Sequence, residues 1–308
     1  MHIPFDPKRR QLLTLLGGIG LATASPLLSA VQKVKITPNT KPIPTSGERL
    51  PVIGLGTSRV FNVFREGEAL DNLREVVRIL GSVENSMLDT SPMYGEAERV
   101  AGELVSELGV RDRLFFATKV WTEGRQAGIE QMQDSLQLLE TKTIDLMQIH
   151  NLVDWQTQYK TLRDWKEQGI IRYLGITHYH ASAHDDVIRV MNKVPLDFLQ
   201  INYSLAEPEA GHKVLPLARE KGIAVIANRP FARGALFRAT KDRNLPDWAG
   251  EIQCQTWAQF FLKFVVSHPA ITCTIPATSK PKHMLDNQLA GTGVLPDEAT
   301  RERMRTVL

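Results

Sequence analysis

Residues 86–95 read Ser-Met-Leu-Asp-Thr-Ser-Pro-Met-Tyr-Gly. A short apolar run ends in Asp89, turn residues follow, and Tyr94 stands five positions on, just ahead of a polar segment that resembles a helix start. A strand that closes on an acid and opens into a loop carrying a tyrosine is where an α/β enzyme puts chemistry. Taken alone, the same residues also describe a helix-entry turn with a surface aromatic, so the neighbouring chain has to decide between the two.

Upstream, residues 52–57 form a buried strand candidate in which Gly54 and Gly56 permit close backbone approach. Leu70, Leu73, Val76, Val77 and Leu80 then recur at the spacing of an amphipathic helix over 67–80. Downstream the alternation persists. Strands are expected at 86–90, 114–120, 144–150, 170–177, 198–203, 223–227 and 271–275. Helices are expected at 96–108, 129–139, 155–168, 182–191, 211–221, 253–268 and 281–288. Gly169 and Gly222 stand where helix C-terminal caps belong. The strand candidates are short and apolar on both faces, as in a parallel sheet covered by helices. Eight such units predict an α/β fold, a single (β/α)8 TIM-type barrel, with an N-terminal β-hairpin around Thr45-Ser46-Gly47-Glu48. A doubly wound open sheet would carry a glycine-rich phosphate turn after an early strand. Gly54-Leu55-Gly56 lacks the third glycine and the helix start.

In a barrel, active residues come from the C-terminal ends of the strands. Asp89 ends the second expected strand and Tyr94 lies in the loop after it; Lys119 lies near the end of the third; His150 ends the fourth. Thr177 and His178 end the fifth, and Gln200, Asn202 and Tyr203 the sixth. A lone lysine in an apolar strand is costly to bury unless paired, and Asp89 is its natural partner.

The 308 residues are 43% hydrophobic and 23% charged, enough for a large core. A net charge of +3 without a basic stripe gives no reason to expect nucleic acid. Cys254 and Cys273 form neither a metal cluster nor a CxxC pair, and two buried thiols are expected. The first thirty residues differ from the rest. Lys8-Arg9-Arg10 precedes Leu12-Leu13 and a moderately apolar stretch that ends in Ser29-Ala30. This reads as an export signal, 1–30, ahead of the barrel, 31–308. The arginine pair resembles the twin-arginine kind, which implies export machinery as a partner and a periplasmic or exported location. An anchor left by an uncleaved segment is the alternative; the apolar stretch is at the low end of the ~20 residues a spanning helix needs, so no stable anchor is expected.

The quoted stretch, together with Gly54-Leu55-Gly56-Thr57, Ala117-Thr118-Lys119, Asp145-Leu146-Met147-Gln148-Ile149-His150, Gly175-Ile176-Thr177, Gln200-Ile201-Asn202-Tyr203-Ser204 and Ile275-Pro276-Ala277-Thr278-Ser279-Lys280, resembles the aldo-keto reductase family. The resemblance covers residues 40–290. It implies a (β/α) barrel that reduces a small aldehyde or ketone with NADPH or, less readily, NADH. The catalytic tetrad it implies is Asp89, Tyr94, Lys119 and His150. Tyr94 would be the proton donor, with Lys119 lowering its pKa, Asp89 holding Lys119, and His150 orienting the carbonyl. It also implies cofactor contacts from Thr177, His178 and Gln200 at the carboxamide. Arg229 and Arg233 would reach the pyrophosphate, and Thr278, Ser279, Lys280, His283 and Asn287 the adenosine end. Two departures stand out: His178 where the family has Asn, and Asn228 where it commonly has a tyrosine that stacks on the nicotinamide. Trp121 and His150 are the expected substrate contacts. A nucleotide-binding barrel with a regulatory role and little turnover is the alternative function.

Overall fold

The computed structural model describes residues 37–63 and 67–308; the expected export signal lies outside the described residues. The chain enters through a hairpin. Strand β1 (Thr40–Pro42) pairs antiparallel with β2 (Arg49–Pro51) across a turn in which Gly47 takes a φ of 79°. Eight parallel strands follow: β3 (Leu55–Gly56), β4 (Ser86–Asp89), β5 (Leu114–Val120), β6 (Ile144–His150), β7 (Ile171–Thr177), β8 (Phe198–Asn202), β9 (Ala224–Asn228) and β10 (Ile271–Thr274). They pair in sequence order from β3 to β10. Bridges from Ile53 to Thr274 and from Gly56 to Ala277 join the first strand region to the last. The expected (β/α)8 barrel and its N-terminal hairpin are both present.

The helices between strands are α1 (Glu68–Gly81), α2 (Ala97–Leu108), α3 (Arg125–Leu138), α4 (Trp155–Glu167), α5 (His184–Lys193), α6 (Val214–Glu220), α7 (Ala235–Ala239) and α8 (Trp257–Val266), with α9 (Pro281–Ala290) and α10 (Glu298–Arg305) after the last strand. Helix α3 starts four residues before the expected 129, because its first turn, Arg-Gln-Ala-Gly, shows no apolar repeat. Helices α7 and α10 were not expected. The first is five residues long, too short to show a period. The second turns a charged sequence to solvent and docks through Arg301, which donates to the Tyr203 hydroxyl and the Phe264 carbonyl. Among the described residues no helix is long and apolar enough to cross a membrane.

The inside of the barrel changes character from bottom to top, and the two-residue period of a strand sets the order. Along β5 the inward residues run Phe115, Ala117, Lys119; along β6, Leu146, Gln148, His150; along β8, Phe198, Gln200. The lower positions form one apolar cluster with Met87 and Ile226, into which the hairpin inserts Ile43 and Leu50. Polar residues therefore collect only in the upper layer, above an apolar plug. Lys41 fastens the hairpin by donating to the carbonyls of Val266, His268 and Ile271 at 2.7–2.8 Å.

Closure of the barrel depends on two glycines. A Cβ at Gly54 would lie 2.8 Å from the Met87 carbonyl oxygen, and one at Gly56 2.8 Å from that of Ile275. Both neighbours are backbone and cannot rotate away. Gly54→Ala is expected to lower stability by about 1–3 kcal/mol, the usual penalty for overpacking, as read from the midpoint of chemical denaturation.

Candidate active site

The upper layer surrounds a cavity of about 720 Å³. Tyr94 and His150 border it; Asp89 and Gln200 lie at its floor, and Asn228 and Arg229 on its wall. Lys119 lies beneath. Its side chain is 0% exposed, and its Nζ donates to Asp89 Oδ1 at 2.7 Å and to the Thr90 carbonyl at 2.6 Å. Asp89 Oδ2 accepts from Gln200 Nε2 at 2.8 Å and from Gln148 Nε2 at 3.2 Å. A buried carboxylate thus has a cation and two amide donors, which is what a charge needs to remain inside a protein.

The electrostatics follow from burial and this pair. Burial is the strongest single influence on the Lys119 ammonium and works against it, but the charges of and hydrogen bonds to Asp89 and Tyr94 together outweigh it and lift the lysine above its ordinary value. The ammonium lies 5.1 Å from the centre of the Tyr94 ring. Here the sequence expectation is corrected. Lys119 does pull the Tyr94 pKa down, but burial pushes it up more strongly, and the net shift is upward. Tyr94 is therefore a phenol at neutral pH. His150 is pushed down to about 3, first by burial and then by the Lys119 charge, so its imidazole is neutral. The Tyr94 and His150 rings meet edge to face with centroids 6.1 Å apart.

The other expected residues divide. Thr177, Gln200, Asn228, Arg229 and Arg233 reach the cavity. Gln200 has a task not foreseen: its amide donates to Asp89 and Gln148, and its oxygen accepts from Thr177 and Asn228. His178 turns away, its Nδ1 accepting from the backbone N–H of Tyr179 and of His180. Trp121 is 42% exposed beside the mouth, its ring 6.4 Å from that of His150. Thr278, Ser279 and Lys280 lead into the N-terminus of α9, just past the cavity residue Ala277; Thr278 Oγ1 accepts from the Lys280 N–H. His283 is exposed on the first turn of that helix, while Asn287 is buried.

Some residues of the site were missed. Gln148 lies two positions before His150 on the same inward face, and the strand period is the signal that would have found it. Tyr179 borders the cavity, with the Arg229 guanidinium 3.9 Å over its ring and Arg229 donating to its carbonyl. Arg229 and Arg233 both hold φ near 53°, a left-handed conformation uncommon outside glycine. Glu98 is buried behind Lys119, accepts from Thr118 and Ser135 hydroxyls, and has its pKa raised by burial.

One buried atom tests whether a nicotinamide would fit. Asn228 donates to the His178 carbonyl through Nδ2, which fixes the orientation of its amide. Its Oδ1 is buried beside the cavity without a donor. A carboxamide N–H is the group that would satisfy it, and the residues present are compatible with such a cofactor.

The sequence model of the Aldo/keto reductase family matches residues 52–303. The chain belongs to the Aldo/keto reductase family. It is similar to aldo-keto reductase YhdN of Bacillus subtilis (strain 168), with 29% identity over 199 residues, 60% of this chain and 59% of that one; it spans less than two thirds of that relative's length. It is also similar to methylglyoxal reductase YeaE of Escherichia coli (strain K12), with 25% identity over 257 residues, 80% of this chain and 88% of that one. An aldo/keto reductase from Klebsiella pneumoniae, solved in complex with NADPH, shares the fold with a TM-score of 0.70 at 24% identity, covering 84% of this chain and 92% of that one.

The geometry makes Asp89 the support on which Lys119 rests. Asp89→Asn leaves a buried ammonium without its counter-charge and is expected to cost about 3–5 kcal/mol in denaturation. Adding Lys119→Met to that variant should restore part of the loss. Equal stabilities of wild type and Asp89→Asn would show that the pair contributes nothing to holding the site.

Proposed function

We propose that the protein is an NADPH-dependent carbonyl reductase that converts a small aldehyde or ketone to the alcohol. The observation that carries the reading is the meeting of Tyr94, Lys119, Asp89 and His150 at one cavity in a member of the Aldo/keto reductase family. When bound, NADPH supplies a hydride to the carbonyl carbon. Tyr94 then gives its phenolic proton to the oxygen as negative charge builds there. Its upward-shifted pKa keeps that proton in place until it is needed. The Lys119 ammonium, held charged by Asp89, stabilises the phenolate left behind. His150, neutral, donates a hydrogen bond to the same oxygen and fixes the direction of the carbonyl.

Several features support the choice of cofactor. Thr177 and Asn228 border the cavity, and Asn228 Oδ1 is buried there without a donor, as a carboxamide N–H would supply. Arg229 and Arg233 stand along the cavity, and Lys280, Lys282 and His283 surround the N-terminus of α9, where backbone N–H groups suit a phosphate. That cluster favours NADPH over NADH. The relative named methylglyoxal reductase supports a small carbonyl substrate. The charged head Lys8-Arg9-Arg10 and the apolar stretch after it support export by a twin-arginine route to a periplasmic or extracellular site.

The test is consumption of NADPH with a panel of small aldehydes and ketones. Tyr94→Phe should lower kcat about 10²–10⁴-fold, the usual contribution of a positioned general acid, while NADPH still binds in a fluorescence titration. Full activity in Tyr94→Phe would remove Tyr94 as the acid. Because His150 titrates at about 3 rather than its ordinary 6.5, kcat for reduction should show no protonation step near 6.5. A step there that disappears in His150→Gln would contradict a neutral His150.

A further inference from the structure

A neutral imidazole can serve the carbonyl oxygen only if the nitrogen facing it carries the proton. Ser91 stands two residues after Asp89 and is fully buried. Its hydroxyl lies 3.2 Å from His150 Nδ1, and its carbonyl accepts from the Tyr94 backbone N–H at 3.0 Å. One residue therefore touches both the acid and the orienting imidazole.

We propose that Ser91 is a positioning residue that sets the tautomer of His150 by donating its hydroxyl hydrogen to Nδ1, leaving the proton on Nε2. The argument counts hydrogens. The contact can run from Oγ–H to Nδ1 or from Nδ1–H to Oγ. Among the described residues, the Ser91 hydroxyl makes no other hydrogen bond, nor does Nδ1. In the second arrangement the serine hydrogen stays buried without an acceptor, which is unfavourable. In the first, neither group is left unpaired. Nε2 makes no hydrogen bond to the described residues, and His150 borders the cavity. The Nε2–H is then the donor offered to the carbonyl oxygen beside the Tyr94 hydroxyl. The opposite tautomer would present a lone pair to that oxygen and repel it. No proton leaves His150 in the reaction; Ser91 acts through the ring and does not touch the reacting atoms.

The inference rests on the reductase reading for its consequence, though the tautomer itself is measurable without turnover. The full chain, labelled with ¹⁵N-histidine and loaded with NADPH, gives two-bond ¹H–¹⁵N correlations from which each ring's tautomer is read. The His150 pattern is assigned by its loss in His150→Asn. The expected result is the Nε2–H pattern in the wild type and a gain of the Nδ1–H pattern in Ser91→Ala. Ser91→Ala should also lose about tenfold or more in kcat with KM little changed, as expected when an interaction realised only in the transition state weakens. An Nδ1–H pattern in the wild type, or an unchanged pattern in Ser91→Ala, overturns the proposal whatever the activity. If the tautomer responds as stated and no carbonyl in the panel is reduced, the role of Ser91 stands and the reductase reading falls.

Discussion

A single buried ion pair organises the top of this barrel. Lys119 has no exposed surface, so its charge can exist only because Asp89 meets it at 2.7 Å and Thr90 lends a carbonyl. Asp89 is in turn held by Gln148 and Gln200, which come from two further strands. Removing one partner of such a pair strands the other, whereas an apolar replacement of both is tolerable. The pair is thus a weak source of stability but a strong constraint on geometry. It ties β4, β5, β6 and β8 together where Tyr94 and His150 must meet. The short segment from Asp89 to Tyr94 carries most of the load: it supplies the carboxylate, the carbonyl for the lysine, the hydroxyl beside His150 and the phenol.

The pKa values around the pair show competing effects. Burial and the neighbouring ammonium act on Tyr94 in opposite directions, and burial prevails. On His150 the same two influences agree, and the imidazole is driven far below its usual range. The Lys119 charge lowers the pKa of both rings, about 6 Å apart, whereas burial raises one and lowers the other because one ionises to an anion and the other to a cation. The result is a protonated phenol beside a neutral imidazole, a combination suited to placing two hydrogen-bond donors on one carbonyl oxygen.

Much of this was legible in the chain. The alternation of short apolar runs with amphipathic stretches specified the barrel, and acids and bases at successive strand ends pointed to the face on which Asp89, Tyr94 and His150 line one cavity. What the sequence did not disclose depends on the third dimension. Gln148 and Gln200 hold Asp89 across strands, a relation invisible along the chain. The net shift on Tyr94 needed the depth of its burial. Tyr179 gave no signal, because a tyrosine in a loop after a strand is ordinary until Arg229 is seen stacked over it. Helix α10 was missed because its sequence is mostly charged and shows no apolar repeat; it docks through Arg301, buried against Tyr203 and Phe264, and through the fully buried Met304.

The central claim is that hydride and proton arrive at one carbonyl from two directions, the proton through Tyr94. Carrying NADPH deuterated at both positions of its nicotinamide C4 through a single turnover with a small aldehyde tests this most directly. Mass spectrometry of the product should find one deuterium bound to the carbinol carbon, with the hydroxyl hydrogen drawn from solvent. Alcohol formed without deuterium on carbon, or oxidation of the nucleotide without any alcohol, would contradict the account.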